Sequence, residues 1–258
     1  MTTQTERASI FAALHRPGNP IVIYNIWDAG SAKTIQAAGA PALATGSSPV
    51  ATAMGYPDGE IIPLETVLSN VRRIVECISV PLSVDFEGGY DDDPAVITAN
   101  TKRLIEAGAI GVNFEDQVIG GVGLYSISDQ AARIAAVVAA GSAMGVPLFV
   151  NARTDLFLKN PADQHGGFIF EQAIERAQAY AAAGASGFFA PGLIDPALIS
   201  ALIATTTLPV NLLISPTAPP AATLAALGAA RLSHGPFPWR AQMAALAAGY
   251  GAATAHQS

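Results

Sequence analysis

The stretch SVDFEGGY (83–90) sets carboxylates at Asp85 and Glu87, two residues apart, and ends in a pair of glycines. Alternate residues of a β-strand share a face, so a strand here turns both acids the same way. A second acidic pair, Glu115 and Asp116, follows in GVNFEDQ (111–117), and VNARTD (150–155) contributes Arg153. Brought to one point, Asp85, Glu87 and Glu115 would repel one another and raise one another's pKa unless a cation neutralised them. Oxygen ligands without His or Cys suit Mg2+ or Mn2+, which retain water and leave positions for substrate oxygens. The competing account pairs each acid with its own Lys or Arg, yet few basic residues lie near these segments. Gly88-Gly89 lets the backbone turn sharply off the strand.

These residues need a scaffold, and the chain repeats one. Four segments, QAAGAPALATG (36–46), EAGAIGVNFED (106–116), AAAGASGFFAPG (181–192) and AALGAARLSHG (225–235), each run from an alanine-rich helix end through a glycine into an apolar run. Gly39, Gly108, Gly184 and Gly228 suit the left-handed position past a helix C-terminus, and the runs read as buried parallel strands. Between them lie IVIYNIWD (21–28), PLSVDFEG (81–88), PLFVNARTD (147–155) and PVNLLIS (209–215). Helices are expected over 31–39, 64–78, 93–108, 129–145, 170–184, 196–205 and 217–228. Eight strand–helix units without a linker predict an α/β fold, a (β/α)8 TIM barrel formed by one domain over residues 1–258. NIWDAGSAK lacks the GxGxxG of an open dinucleotide-binding sheet. A last helix over 239–255 either closes its own barrel or packs against a neighbouring subunit.

In such a barrel the reactive residues sit at the C-terminal strand ends. These are Trp27-Asp28, Gly46-Ser47-Ser48, Asp85 and Glu87, Asn113, Glu115 and Asp116, Asn151, Arg153 and Asp155, Pro191, Asn211 and His234. His234 is the candidate proton donor, because its ordinary pKa near 6.5 suits exchange at neutral pH; rim hydrogen bonding explains it equally well. Tyr125 is a second candidate. Asp91, Asp92 and Asp93 read as a solvated loop and helix cap, and Asp28 as a cap or a site contact. His15, His165 and His256 fall in a polar N-terminal segment, a loop and the tail.

The formal net charge of -7 with no basic cluster gives nucleic acid or an anionic membrane nothing to hold, which leaves a small molecule or another protein as partner. A single cysteine, Cys77, excludes an intramolecular disulfide and reads as core. The N-terminal stretch lacks the order of a signal peptide and no apolar run is long enough to span a bilayer, so a cytoplasmic location is expected.

VDFEGGY, GVNFEDQ, VNARTD and GYPDGE, taken in order, resemble the isocitrate lyase/phosphoenolpyruvate mutase superfamily, most strongly its phosphonomutase-like branch. The resemblance spans about residues 20–240. It implies a homo-oligomer, dimer or tetramer, that exchanges last helices. It implies Mg2+ held mainly by Asp85, with Asp58, Glu87 and Glu115 acting through water. It also implies that Arg153 grips a substrate carboxylate or enolate oxygen, that the Gly46-Ser47-Ser48 loop donates backbone N–H groups, and that Asn211 reaches the substrate.

The departures matter as much. Isocitrate and methylisocitrate lyases carry a Lys-Lys-Cys-Gly-His lid, whereas QVIGGVGLYSI (117–127) has no Cys, His or Lys. Pro191 stands where phosphoenolpyruvate mutase has a histidine and the methylisocitrate enzymes a glutamate. The shared half-reaction remains, in which a 2-oxo acid chelates the cation and an enolate is stabilised. The expected activity is therefore that of a Mg2+-dependent lyase or decarboxylase for an oxaloacetate-like 2-oxo dicarboxylate. The alternatives are a C–P bond enzyme, phosphonopyruvate hydrolase or phosphonomutase, and a non-catalytic barrel that binds a metal–carboxylate complex.

Overall fold

Eight short apolar runs lie side by side, all parallel, in the computed structural model, which describes residues 2–255. They are β1 (Ile21–Ile23), β2 (Leu43–Ala44), β3 (Leu82–Asp85), β4 (Gly111–Glu115), β5 (Phe149–Arg153), β6 (Gly187–Phe189), β7 (Val210–Leu213) and β8 (Arg231–Ser233). Their order is β1-β8-β7-β6-β5-β4-β3-β2, and a parallel bridge between Ile26 and Thr45 closes the ring. The Ile26 N–H donates to Ala44 O at 2.9 Å, and the Gly46 N–H to Ile26 O at 3.2 Å. This is the expected (β/α)8 TIM barrel.

The helices are α1 (Gln4–Ala13), α2 (Ala29–Ala37), α3 (Ser47–Ala53), α4 (Leu64–Cys77), α5 (Pro94–Glu106), α6 (Ile127–Ala143), α7 (Leu156–Lys159), α8 (Phe168–Ala182), α9 (Pro196–Thr205), α10 (Ala221–Ala226) and α11 (Phe237–Thr254). Asp93 and Asp195 cap α5 and α9 ahead of a proline in the first turn, and Asp28 caps α2 through Ser31. Two prolines, Pro219 and Pro220, delay α10 beyond the expected start at 217.

Strand register explains the apolar and polar alternation. Val84, Val112 and Val150 lie at one level facing the helices, each buried. Residues one step away, Ser83, Asp85, Asn113, Asn151, Arg153, Asn211 and Ser233, turn inward, so the barrel interior is polar above its lowest layer. In that lowest layer Phe149 fills space left by glycines. A Cβ on Gly111 would sit 3.0 Å from Phe149 O, and one on Gly187 would sit 3.2 Å from the Phe149 ring.

The N-terminal segment, read from sequence as a polar stretch, is the helix α1, with a capping box between Thr3 and Glu6. It plugs the lower end of the barrel. Phe11 meets Phe149 edge-on at 5.3 Å, and His15 stacks on it at 4.1 Å. His15 is thus a buried packing residue, and burial pushes its pKa down to about 3. His165 is also buried, with Nε2 at 3.0 Å from the Phe157 carbonyl. His256 lies outside the described residues.

Gly111→Ala presses a methyl group against the Phe149 carbonyl in this layer, and it is expected to destabilise the fold by about 1–3 kcal/mol. Denaturant unfolding of the variant against the parent checks this.

Candidate active site

The C-terminal strand ends open on a cavity of about 290 Å3, whose polar wall is formed by Gly46, Ser47, Ser48, Asp58, Asp85, Asn113 and Arg153. Asn25, Ser233 and Arg240 join that wall, and Leu158, Phe189, Pro191, Leu213 and Phe237 form an apolar one.

Asp85 ends β3 with its backbone N–H donating to Thr45 Oγ1 at 3.0 Å. Its Oδ2 accepts from the Ser47 N–H at 3.0 Å and the Ser47 hydroxyl at 3.1 Å. Its Oδ1 is buried and has no partner. A buried carboxylate oxygen without a donor is costly, and this one sits beside a second acid, Asp58. Burial raises the pKa of Asp58, and Asp85 adds to the rise.

Glu87 occupies left-handed backbone (φ 50) and faces a small side cavity that shares Ser47 and Asp85. Its Oε2 accepts the Glu60 N–H at 3.1 Å. Burial first, then repulsion from Asp85, Asp58, Glu115 and Glu60, pushes its pKa up to about 9. Glu60, also left-handed (φ 60), accepts the Gly88 N–H at 2.8 Å and the Tyr90 N–H at 2.9 Å through Oε1. Close packing accounts for Gly88 and the left-handed backbone for Gly89. A Cβ on Gly88 would meet Ile119, Arg133 and Glu60 at 3.2–3.3 Å, and Gly89 takes φ 89. Backbone strain is thus collected at the acid cluster.

Glu115 pairs with Arg153, whose Nη1 lies 2.8 Å from Oε2. Burial is the largest influence on Glu115 and raises its pKa to about 8 while Arg153 opposes. Arg153 is clamped again by Asp155, Nε to Oδ1 at 2.6 Å and Nη2 to Oδ2 at 3.0 Å. Asp155 is held by Asp116, which accepts the Asp155 N–H at 2.9 Å, Arg176 Nη1 at 3.0 Å and the Tyr180 hydroxyl at 2.8 Å. Asp116 therefore positions β5 from behind. Two of the five N–H donors of Arg153 remain for a ligand.

The expected site residues take different places around the cavity. Among the described residues no three His, Cys, Asp or Glu side chains converge into a closed metal cage. Asp85 and Asp58 face the cavity, Glu115 is bound by Arg153, and Glu87 turns toward the side cavity. The donor set fits a hard divalent cation: the partnerless Asp85 Oδ1 could bind one directly, with the other acids reached through water. The Gly46 and Ser47 N–H groups are spent on Ile26 O and Asp85, so of that loop only Ser48 keeps its N–H for a ligand. Asn211 is buried beneath the cavity, accepting from Ser233 Oγ at 3.2 Å, and does not line it. His234 does not line it either. Alternation along β8 turns Ser233 inward and His234 outward, its ring 5.0 Å from Tyr24. The Tyr125 hydroxyl is bonded to Asp92 and its ring lies 3.8 Å from the Arg133 guanidinium. Asn25, Ser233 and Arg240 went unread in the sequence. Arg240 lies in the first turn of a helix, beyond the strand ends to which barrel logic points, although WRAQ offered a basic residue just after β8.

The fold and site define a (β/α)8 barrel with an acidic mouth and two guanidinium groups in one cavity. The chain belongs to the phosphoenolpyruvate phosphomutase family, whose model matches residues 11–253. A crystal structure described as a phosphonomutase from Burkholderia cenocepacia J2315 superposes with a TM-score of 0.93 at 44% identity, covering 95% of this chain and 98% of that one. The chain is 33% identical to the 2-methylisocitrate lyase of Escherichia coli K12 over 202 residues, 72% of this chain and 66% of that protein. It is 32% identical to an oxaloacetate decarboxylase of Rhodopseudomonas palustris BisA53 over 170 residues, 62% and 53% of the two chains.

An acid whose folded pKa is raised keeps a proton that the unfolded chain has released. From about 4.5 to about 9 the Glu87 carboxyl group therefore lowers stability as pH rises. Melting temperature in chelator is expected to fall across this window, and Glu87→Gln is expected to flatten the slope.

Proposed function

We propose that the protein is a Mg2+- or Mn2+-dependent lyase acting on a small 2-oxo dicarboxylate, with decarboxylation of an oxaloacetate-like acid as its reaction. The observation that carries this is the partnerless buried Oδ1 of Asp85, a residue that lines the same cavity as Arg153 and Arg240. The relatives named a 2-methylisocitrate lyase and an oxaloacetate decarboxylase support a carbon–carbon bond as the one broken.

Asp85 would hold a divalent ion, which when bound would supply positive charge to stabilise the developing enolate. The rest falls to the protein. Arg153, held rigid by Asp155 and Glu115, takes the carboxylate beside the keto group. Arg240, which has no ion pair among the described residues, takes the far carboxylate as the substrate enters. Loss of CO2 breaks the C3–C4 bond, its electron pair passes to the 2-oxo oxygen, and C3 then takes a proton from water. No role falls to His234. The apolar wall of Leu158, Phe189, Leu213 and Phe237 limits water around the reacting carbon.

The relative described as a phosphonomutase favours a second reading, cleavage or migration of a C–P bond on the same cavity. Purified protein with Mg2+ is expected to consume oxaloacetate faster than the ion alone. Asp85→Ala is expected to lower that rate more than about a hundredfold. Release of inorganic phosphate from phosphonopyruvate, with oxaloacetate untouched, would replace the first reading by the second.

Uncovered apolar surface supports a homo-oligomer. Val22 on the outer face of β1 is 49% exposed, in a groove lined by Leu14, Ile35 and Pro41. Helix α11 leaves its own barrel bare there, with Pro238 its one buried residue among those described and Tyr250 74% exposed. Docking of α11 from a second copy covers both surfaces. Leu246→Glu with Tyr250→Glu is expected to convert a dimer or tetramer to a smaller species by light scattering. An unchanged mass contradicts the docking.

A further inference from the structure

The barrel is weakest where it closes. Every other pair of neighbouring strands shares at least two rungs, whereas among the described residues β1 and β2 meet at the single bridge between Ile26 and Thr45. Asn25, the residue before that bridge, is buried, and its side chain spans the seam. Its Nδ2 donates to Thr45 O at 2.9 Å, and its Oδ1 accepts the Gly235 N–H at 2.8 Å. A carbonyl can only accept and a backbone N–H can only donate, so these two partners leave the amide one orientation.

The hydrogen bond to Thr45 changes the course of the chain after β2. Thr45 donates its N–H to Ser83 O at 3.1 Å, and in an evenly spaced parallel ladder the following rung would run from the Asp85 N–H to Thr45 O. That rung is replaced. The Asp85 N–H goes to the Thr45 hydroxyl at 3.0 Å, and the Thr45 carbonyl accepts from Asn25 instead. From there the chain leaves the ladder through Gly46, whose N–H donates to Ile26 O at 3.2 Å, and Ser47 comes over Asp85 to give Oδ2 its two hydrogen bonds. The same amide holds Gly235, so it ties the turn after β2 to the turn after β8.

We propose that Asn25 is a positioning residue for the cation site: by holding the Thr45 carbonyl out of the β2–β3 ladder, it sets the turn from which Ser47 grips one Asp85 oxygen and leaves the other free. The inference rests on the proposed reading of Asp85 as a metal ligand. It goes beyond that reading by making the geometry of the ligand depend on a side chain across the barrel seam, which touches neither the ion nor Asp85.

Binding of Mn2+ to the purified protein, read from the electron paramagnetic resonance of the free ion, tests this without turnover. Asn25→Leu nearly preserves the volume of the side chain and removes both hydrogen bonds, and it is expected to weaken Mn2+ binding about tenfold. Ser47→Ala is expected to weaken it too. The double variant is expected to bind no more weakly than Asn25→Leu alone, because both changes break one chain of contacts. Gly111→Ala, which disturbs the lower layer instead, is expected to lose stability in denaturant while keeping the native Mn2+ affinity, which separates positioning of Asp85 from general loosening of the barrel. If Asn25→Leu does not fold, Asn25→Ala takes its place. Native Mn2+ affinity in the Asn25 variant, additive losses in the double variant, or an equal loss in Gly111→Ala overturns the inference. A native protein that leaves millimolar Mn2+ free overturns instead the metal reading beneath it.

Discussion

Repulsion among buried carboxylates is the constraint on which the rest of the mouth depends. Asp58, Asp85, Glu87, Glu115 and Glu60 act on one another at short range, and burial removes the water that would screen them. The protein relieves this only in part. Arg153 neutralises Glu115, backbone N–H groups are directed at Glu60 and Glu87, and Ser47 gives Asp85 two hydrogen bonds. One oxygen of Asp85 is left without a donor, and the three non-glycine residues at positive φ among those described, Glu60, Glu87 and Tyr90, surround the same place. Strain and unsatisfied charge at one point are what a resident cation would repay.

The scaffold makes that concentration tolerable by shielding it from behind. Asp116, Arg176 and Tyr180 form a buried network that fixes Asp155, and Asp155 fixes Arg153. Below, Phe149 is packed between inward glycines and the ring system of α1, so the lower barrel is solid and the polar layer rests on it. The functional mouth is therefore the upper rim alone, consistent with strand ends that serve chemistry and strand starts that serve stability.

Much of this was legible in the chain because strand geometry is local. Glycine after an alanine-rich helix marked the returns at Gly39, Gly108, Gly184 and Gly228, and all four take positive φ. The period of two along SVDFEG puts Asp85 inward, whereas His234 is read from its strand-end position and its chemistry, one step past the cavity-lining Ser233. A single step along a strand exchanges the cavity for the outer face. Glu60 and Arg240 stayed hidden for a different reason. Both lie in loop or helix-start positions whose approach to the site depends on tertiary contacts, the backbone donors of Gly88 and Tyr90 for one and the Trp27–Trp239 packing beside the other. Helix α1 was hidden because its burial rests on Ala8 and Phe11, too few apolar positions to print a period.

The central claim is that Asp85 presents a free oxygen to a divalent cation at the barrel mouth. A crystal soaked in Mn2+ and measured at its absorption edge tests this most directly. The account predicts one anomalous peak within coordination distance of Asp85 Oδ1, with Glu87 and Glu115 further out. A mouth without a peak at millimolar Mn2+, or a Lys or Arg side chain filling that position, would contradict it.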